Sequence, residues 1–248
     1  NLVAAWQRGH LGGRLFNSLI MSVGVATGKV AISALTAFGL VYFRFPGRML
    51  IFWLIFITLM LPLEVRIVPT YAVAANAFWP FQSIFDMIGL TNLVEHLLGL
   101  RIALEWNLLN SYTGLILPLI ATATGTFLYR QFFLTVPDEL LEAARMDGAG
   151  PFRFLGEFLV PLSRANMAAL FTIMFLYAWN QYLWPLIVTQ STEMQTAQIG
   201  IGMFRSQNES MSWGVIMAAT AMLISPTVLL FIATQKQFVR GITMSGIK

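Results

Sequence analysis

The chain has 248 residues, of which 57% are hydrophobic and 10% charged, with a net charge of +4 and no cysteine. Soluble globular domains carry roughly 25% charged residues, so this composition excludes an ordinary soluble domain and points to an integral membrane protein. Without cysteine there are no disulfides and no thiolate metal sites. In so apolar a chain the basic excess reports topology rather than nucleic-acid binding.

A helix crosses the hydrocarbon layer with about 20 apolar residues. Five stretches qualify: Asn17–Phe43, Met49–Tyr71, Ser111–Phe132, Asn166–Trp184 and Trp213–Phe238. The first is long and carries Lys29, so it must tilt or turn that residue toward protein. Pro62, Pro118 and Pro226 lie within or near spans, where neighbouring helices satisfy the carbonyls they free. The chain starts at Asn1 and shows no cleavable signal peptide, so a preceding span, six in full, is expected.

Basic residues orient the bundle. Arg44 and Arg48, then Arg130, Arg145, Arg153 and Arg164, then Lys236, Arg240 and Lys248 fall on one side. Arg8, Arg14, Arg66, Arg101 and Arg205 fall on the other. The richer side is expected to be cytoplasmic, which places residue 1 outside. The outer loop 72–110 is long and not very polar. Leu90, Leu93, Val94, Leu97 and Leu104 recur at helical spacing, with Glu95, His96, Arg101 and Glu105 between them. This reads as an amphipathic helix on the membrane surface or on another subunit, or as a packed loop.

The stretch 137–164 does not match its surroundings. Pro137, Asp138 and Glu139 form a helix-start signal, with acids at the positive end of the helix dipole. Leu140 to Asp147 is rich in helix formers, and Gly148 is a natural cap. Gly150 and Pro151 turn the chain into a second short helix, Phe152 to Leu159, which Pro161 limits. Helices this short need a partner surface. Ala143 and Ala144 offer close approach, Glu142 and Asp147 charge pairing at the rim. A solvated loop has no use for Phe152, Phe154, Phe158 and Leu159.

Glu142-Ala143-Ala144, three residues, Gly148, nine residues and then Phe158-Leu159-Val160-Pro161 resembles the EAA loop of binding-protein-dependent ABC importer permeases. Phe158 and Val160 depart conservatively from the family's Ile and Leu, and the spacing is intact. Asn17-Ser18, the Arg44–Arg48 loop and Phe238-Val239-Arg240-Gly241 are similar to the carbohydrate, maltose-system-like branch. The resemblance covers nearly the whole chain except roughly residues 74–109. It implies an all-α, polytopic transmembrane helical bundle of the type I ABC importer permease kind, one permease domain over 1–248. It also implies partners: a second homologous permease subunit, two ATP-binding cassette subunits that bind ATP and Mg, an extracytoplasmic substrate-binding protein, and the bacterial inner membrane. Glu142, Ala143, Ala144, Asp147, Gly148 and Pro161 would then carry the contact with the ATPase, and this chain would hold no cofactor itself.

Residues 52–66, 129–133 and 179–185 look most like permeases that import glycerol 3-phosphate. A glycerophosphodiester or a sugar remain alternatives. Lys29 is the one Lys or Arg deep in a span, suited to attract a phosphate or to pair within an interface. Asn180, Gln181 and Tyr182 suit a hydroxyl-bearing ligand or a subunit contact, whereas Trp184 reads as a membrane-interface anchor. Glu64 and Arg66, at an outer helix end, suit contact with a binding protein or structural pairing. Gly24, Gly28 and Lys29 fail the P-loop spacing, and Val30 stands where Ser or Thr belongs, so ATP hydrolysis falls to a partner. His10 and His96 form no zinc motif, and Glu64, Asp86, Glu95, Glu105, Glu193 and Glu209 are scattered. A membrane enzyme acting on a lipid or phosphate ester is therefore the distant alternative.

Overall fold

The computed structural model describes residues 1–58, 61–89, 96, 105–121, 123–207 and 213–245, and among them all regular structure is helical. α1 (Leu2–Arg8) leads into α2 (Leu11–Tyr42), followed by α3 (Arg48–Ile57), α4 (Leu63–Ala75) and α5 (Trp79–Met87). α6 (Tyr112–Ile120) and α7 (Ala123–Phe133) come next, then α8 (Asp138–Met146) and α9 (Pro151–Leu162). α10 (Arg164–Trp179), α11 (Leu183–Val188), α12 (Ala197–Gln207) and α13 (Trp213–Ser245) complete the chain.

Length and apolarity let α2 and α13 cross a membrane as single helices, and α6–α7 and α9–α10 as bent pairs. The expected span Met49–Tyr71 is divided. α3 stops at Ile57, and α4 starts after an extended Pro62. Proline has no N–H for the ladder and disfavours a helical residue before it. The expected span Asn166–Trp184 is also cut short. α10 ends at Trp179, and Asn180 bonds its own side-chain amide back to the Leu176 carbonyl at 2.9 Å. The last span is longer than expected, because α13 runs unbroken through Pro226.

α2 is the axis of the bundle, packed on α7, α6 and α10. Glycines allow the closest approaches, as small residues do between membrane helices. A Cβ at Gly24 would stand 2.6 Å from Ile116, and one at Gly28 2.5 Å from Ile120. One at Gly125 would overlap Ser33. Glycines that resembled part of a phosphate loop thus serve helix packing.

Two apolar clusters organise the ends. Near the outer end Met21, Val25, Leu115, Leu119, Trp184 and Val188 pack together. Trp184 is fully buried there, so it is a core residue and not the interface anchor expected from its position. The chain re-enters the bundle through α11 instead of leaving it. Near the inner end Phe38, Tyr129, Phe133, Ala144, Phe154, Leu155 and Leu159 form the other cluster.

The outer loop is partly structured. Its backbone folds back on α4, with Ala77 N–H donating to Trp106 O and Leu108 N–H to Ala74 O, both at 2.9 Å. The expected amphipathic helix of Leu90, Leu93, Val94, Leu97 and Leu104 lies outside the described residues.

Candidate functional sites

The insert 137–164 folds as a helix, a glycine turn and a second helix. α8 begins after Pro137 with Asp138 and Glu139 in its first turn. Gly148 follows with φ +74°, a left-handed conformation that a side chain would strain. α9 starts as a regular helix, widens to a π-turn over Leu155–Leu159, and resumes at Val160. Pro161 therefore does not stop this helix as expected. It follows the wide turn, where its missing N–H is accommodated, and the chain bends by 78° only at Ser163.

Phe154 anchors the insert, its ring 5.4 Å edge-on from Tyr42, while Tyr42 lies 6.1 Å from Phe133. Ala144 is buried in the same cluster. The insert is thus packed against the ends of α2 and α7 through this cluster.

The two alanines divide. Ala143 is exposed with Glu142, Asp147 and Gly148, whereas Ala144 is 1% exposed and faces its own subunit. Ala144 therefore sets the seat of α8 and is not on its outer face. Met146 and Phe152, at 83% and 76% exposure, stand at either end of the glycine turn. Phe158 and Leu162 are also exposed. Phe154 and Leu159 are consumed by the core. Pro161 is half-buried. This face sets large exposed apolar side chains beside acids, the kind of surface that marks an interaction site.

Lys29 is 2% exposed within the chain, its Nζ 4.1 Å from the centre of the Tyr177 ring on α10. It faces protein, as a charge in a span must, but this single chain covers it. Arg66 at the start of α4 lies within electrostatic reach of Lys29. It lines an outer cavity of about 510 Å³ with Thr70, Leu117 and Pro118. The side chain of Glu64 is outside the described set. Asn180 and Tyr182 are exposed and Gln181 is half-buried. Gln198 of α12 donates to Asn180 Oδ1 at 3.3 Å, and Tyr182 lies against Gly202. Asn180 and Tyr182 therefore form, with Gln181, one polar step beside α12.

A polar clasp that the sequence did not disclose closes the outer end. Asn17 Nδ2 donates to the carbonyls of Glu193 at 2.6 Å and Gln195 at 3.0 Å, and its Oδ1 accepts from Tyr112 at 2.7 Å. Arg14 donates to Gln195 Oε1 at 2.9 Å. The Ala197 N–H, at the start of α12, donates to Ser18 Oγ at 2.8 Å. The one signal was the pair Asn17-Ser18, polar residues at the head of an apolar span, whose partners lie about 180 residues away in sequence.

Residues 29–244 match the family of binding-protein-dependent transport system inner membrane components. Over 232 residues the chain is 48% identical to the sn-glycerol-3-phosphate transport system permease protein UgpE of Yersinia enterocolitica, covering 93% of this chain and 72% of that one. Against UgpE of Agrobacterium fabrum the identity is 46% over 229 residues, 92% of this chain and 71% of that one. The fold is similar to that of a bacterial ABC transporter involved in the import of the acidic polysaccharide alginate. The TM-score is 0.71 at 19% identity, with 95% of this chain and 79% of that one covered.

Proposed function

Because the chain belongs to the family of binding-protein-dependent transport system inner membrane components, we propose that it is the permease subunit of an ATP-driven importer of glycerol 3-phosphate. The observation that carries the substrate is the 48% identity to a glycerol-3-phosphate permease over 93% of the chain. The observation that supports the mechanism is the α8–α9 insert, exposed on one face and locked to α2 and α7 on the other.

In this reading a second permease chain completes the path. Two ATP-binding cassette subunits, which hold ATP and Mg, dock on α8, and a binding protein delivers substrate outside. Glu142, Ala143, Asp147 and Gly148 make the docking contact, with Met146 and Phe152 at its edges. Ala144 and Pro161 fix the insert's shape. Closure of the ATPase pair pushes α8, and the Phe154–Tyr42–Phe133 contact passes that movement to the spans. The access of the path then alternates between the two sides. This chain carries out no chemistry; its contribution is the moving wall.

Lys29, Arg66 and the Asn180–Tyr182 step are the substrate-path candidates. Lys29, held over the Tyr177 ring, is the candidate that would bias the path toward anions. The test is ATPase activity of the assembled complex in lipid, with its binding protein, across a substrate panel. Stimulation by glycerol 3-phosphate is expected. Stimulation by maltose-type sugars alone would remove the phosphate reading and leave the permease role.

A further inference from the structure

A second cavity, of about 880 Å³, opens at the inner end of the bundle. Its walls are the end of α2 with the loop to α3, the segment after α7, and α8. Arg44, Arg48 and Arg145 line it, with Asp138 and Glu142. Among the described residues, the one guanidinium–carboxylate pair within 4 Å is Arg153–Glu157, outside this cavity. The three arginines therefore share a space with two acids and are ion-paired to neither, which leaves a net positive cavity.

None of the substrate-path candidates Lys29, Arg66, Asn180, Gln181 and Tyr182 lines this cavity. We propose that it binds the headgroup of an anionic phospholipid from the cytoplasmic leaflet. Basic pockets between membrane helices on that side are built for such headgroups. Guanidinium groups hold a phosphodiester in forked hydrogen bonds.

A lipid is favoured over a soluble anion by what adjoins the cavity. α3 leaves Arg48 directly into Leu50, Trp53 and Leu54, all more than half exposed. These side chains give acyl chains an apolar bed that begins at the headgroup arginines. Because Arg145 and Glu142 belong to α8, a bound headgroup also steadies the helix that docks the ATPase. Lipid composition thereby bears on coupling.

The test uses the intact complex in nanodiscs of phosphatidylcholine containing cardiolipin, with retained lipid read by native mass spectrometry. The wild type should retain cardiolipin at least about tenfold over phosphatidylcholine. Arg44→Gln with Arg48→Gln should weaken retention by about thirtyfold for the two lost arginines. Arg153→Gln, outside the cavity, should leave it unchanged. Equal retention of both lipids by the wild type would overturn the proposal without any variant. So would displacement of cardiolipin by inorganic phosphate, or an undiminished signal in the double variant.

Discussion

At the outer end of α2, Arg14, Asn17 and Ser18 are hydrogen-bonded to the 193–197 segment of the same chain, and Trp184 is buried behind them. At the inner end, Glu142, Met146, Asp147 and Phe152 stand exposed around a glycine turn, above a cavity whose arginines have no carboxylate within 4 Å among the described residues. The outer end satisfies its polar groups internally. The inner end leaves acids and large apolar side chains on its surface. The difference separates the part of the molecule that maintains its own shape from the part that, in the proposed assembly, receives a driving subunit. Substitutions outside should cost stability, and substitutions inside should cost coupling.

The largest stability effect is expected from Trp184→Ala. Removing a fully buried indole should destabilise the chain by about 3–5 kcal/mol, read as thermal unfolding in detergent. A loss of transport with unchanged unfolding would place Trp184 in the path instead of the core. The paired alanines give a sharper contrast within one helix. Ala144→Leu overpacks the inner cluster and should lower stability by about 1–3 kcal/mol. Ala143→Leu should leave unfolding within about 0.5 kcal/mol of wild type yet weaken ATPase association. Similar behaviour of the two would erase the division between inward and outward faces of α8. Asn17→Ala should have the smaller effect of the two outer-end substitutions. It strips partners from two carbonyls and from the Tyr112 hydroxyl, a loss of about 1 kcal/mol. Unfolding should shift while the ATPase still co-purifies.

The inner end was legible in the sequence and the outer end largely was not. The insert is written in local terms: Pro137 before acids, a run of helix formers, Gly148 where φ is +74°, and a fixed spacing to Pro161. Such signals act within a few residues, so they survive without knowledge of the fold. Even there, spacing could not say that Ala144 turns inward while Ala143 turns out. That follows from the seat Phe154 and Tyr129 make for α8.

The outer end depends on pairings far apart in sequence. A tryptophan at the end of a span anchors at the membrane interface if the chain leaves, and fills the core if the chain returns. Trp184 fills the core because α11 packs back beside Met21 and Leu115. The helices α11 and α12 carry no strong local signal, and α12 is fixed by a hydrogen bond from Ala197 to Ser18. Lys29, expected either to tilt its span or to face protein, is buried within the chain. Its position behind Tyr177 required the placement of α10. The division of the second span at Pro62 was visible as a proline, but composition alone joined the two halves.

In the proposed assembly α8 is the seat of the ATPase. The most direct measurement is co-purification of the ATP-binding subunits with this chain from membranes, for the wild type and for Glu142→Lys. Glu142 is exposed, so the substitution leaves the core intact. The wild type should bring the ATPase with it. Glu142→Lys should insert and fold but retain about thirtyfold less, the size of a hot-spot loss of ~2 kcal/mol. Full retention of the ATPase, with transport-linked hydrolysis unchanged in the variant, would contradict the assignment of α8 as the coupling element.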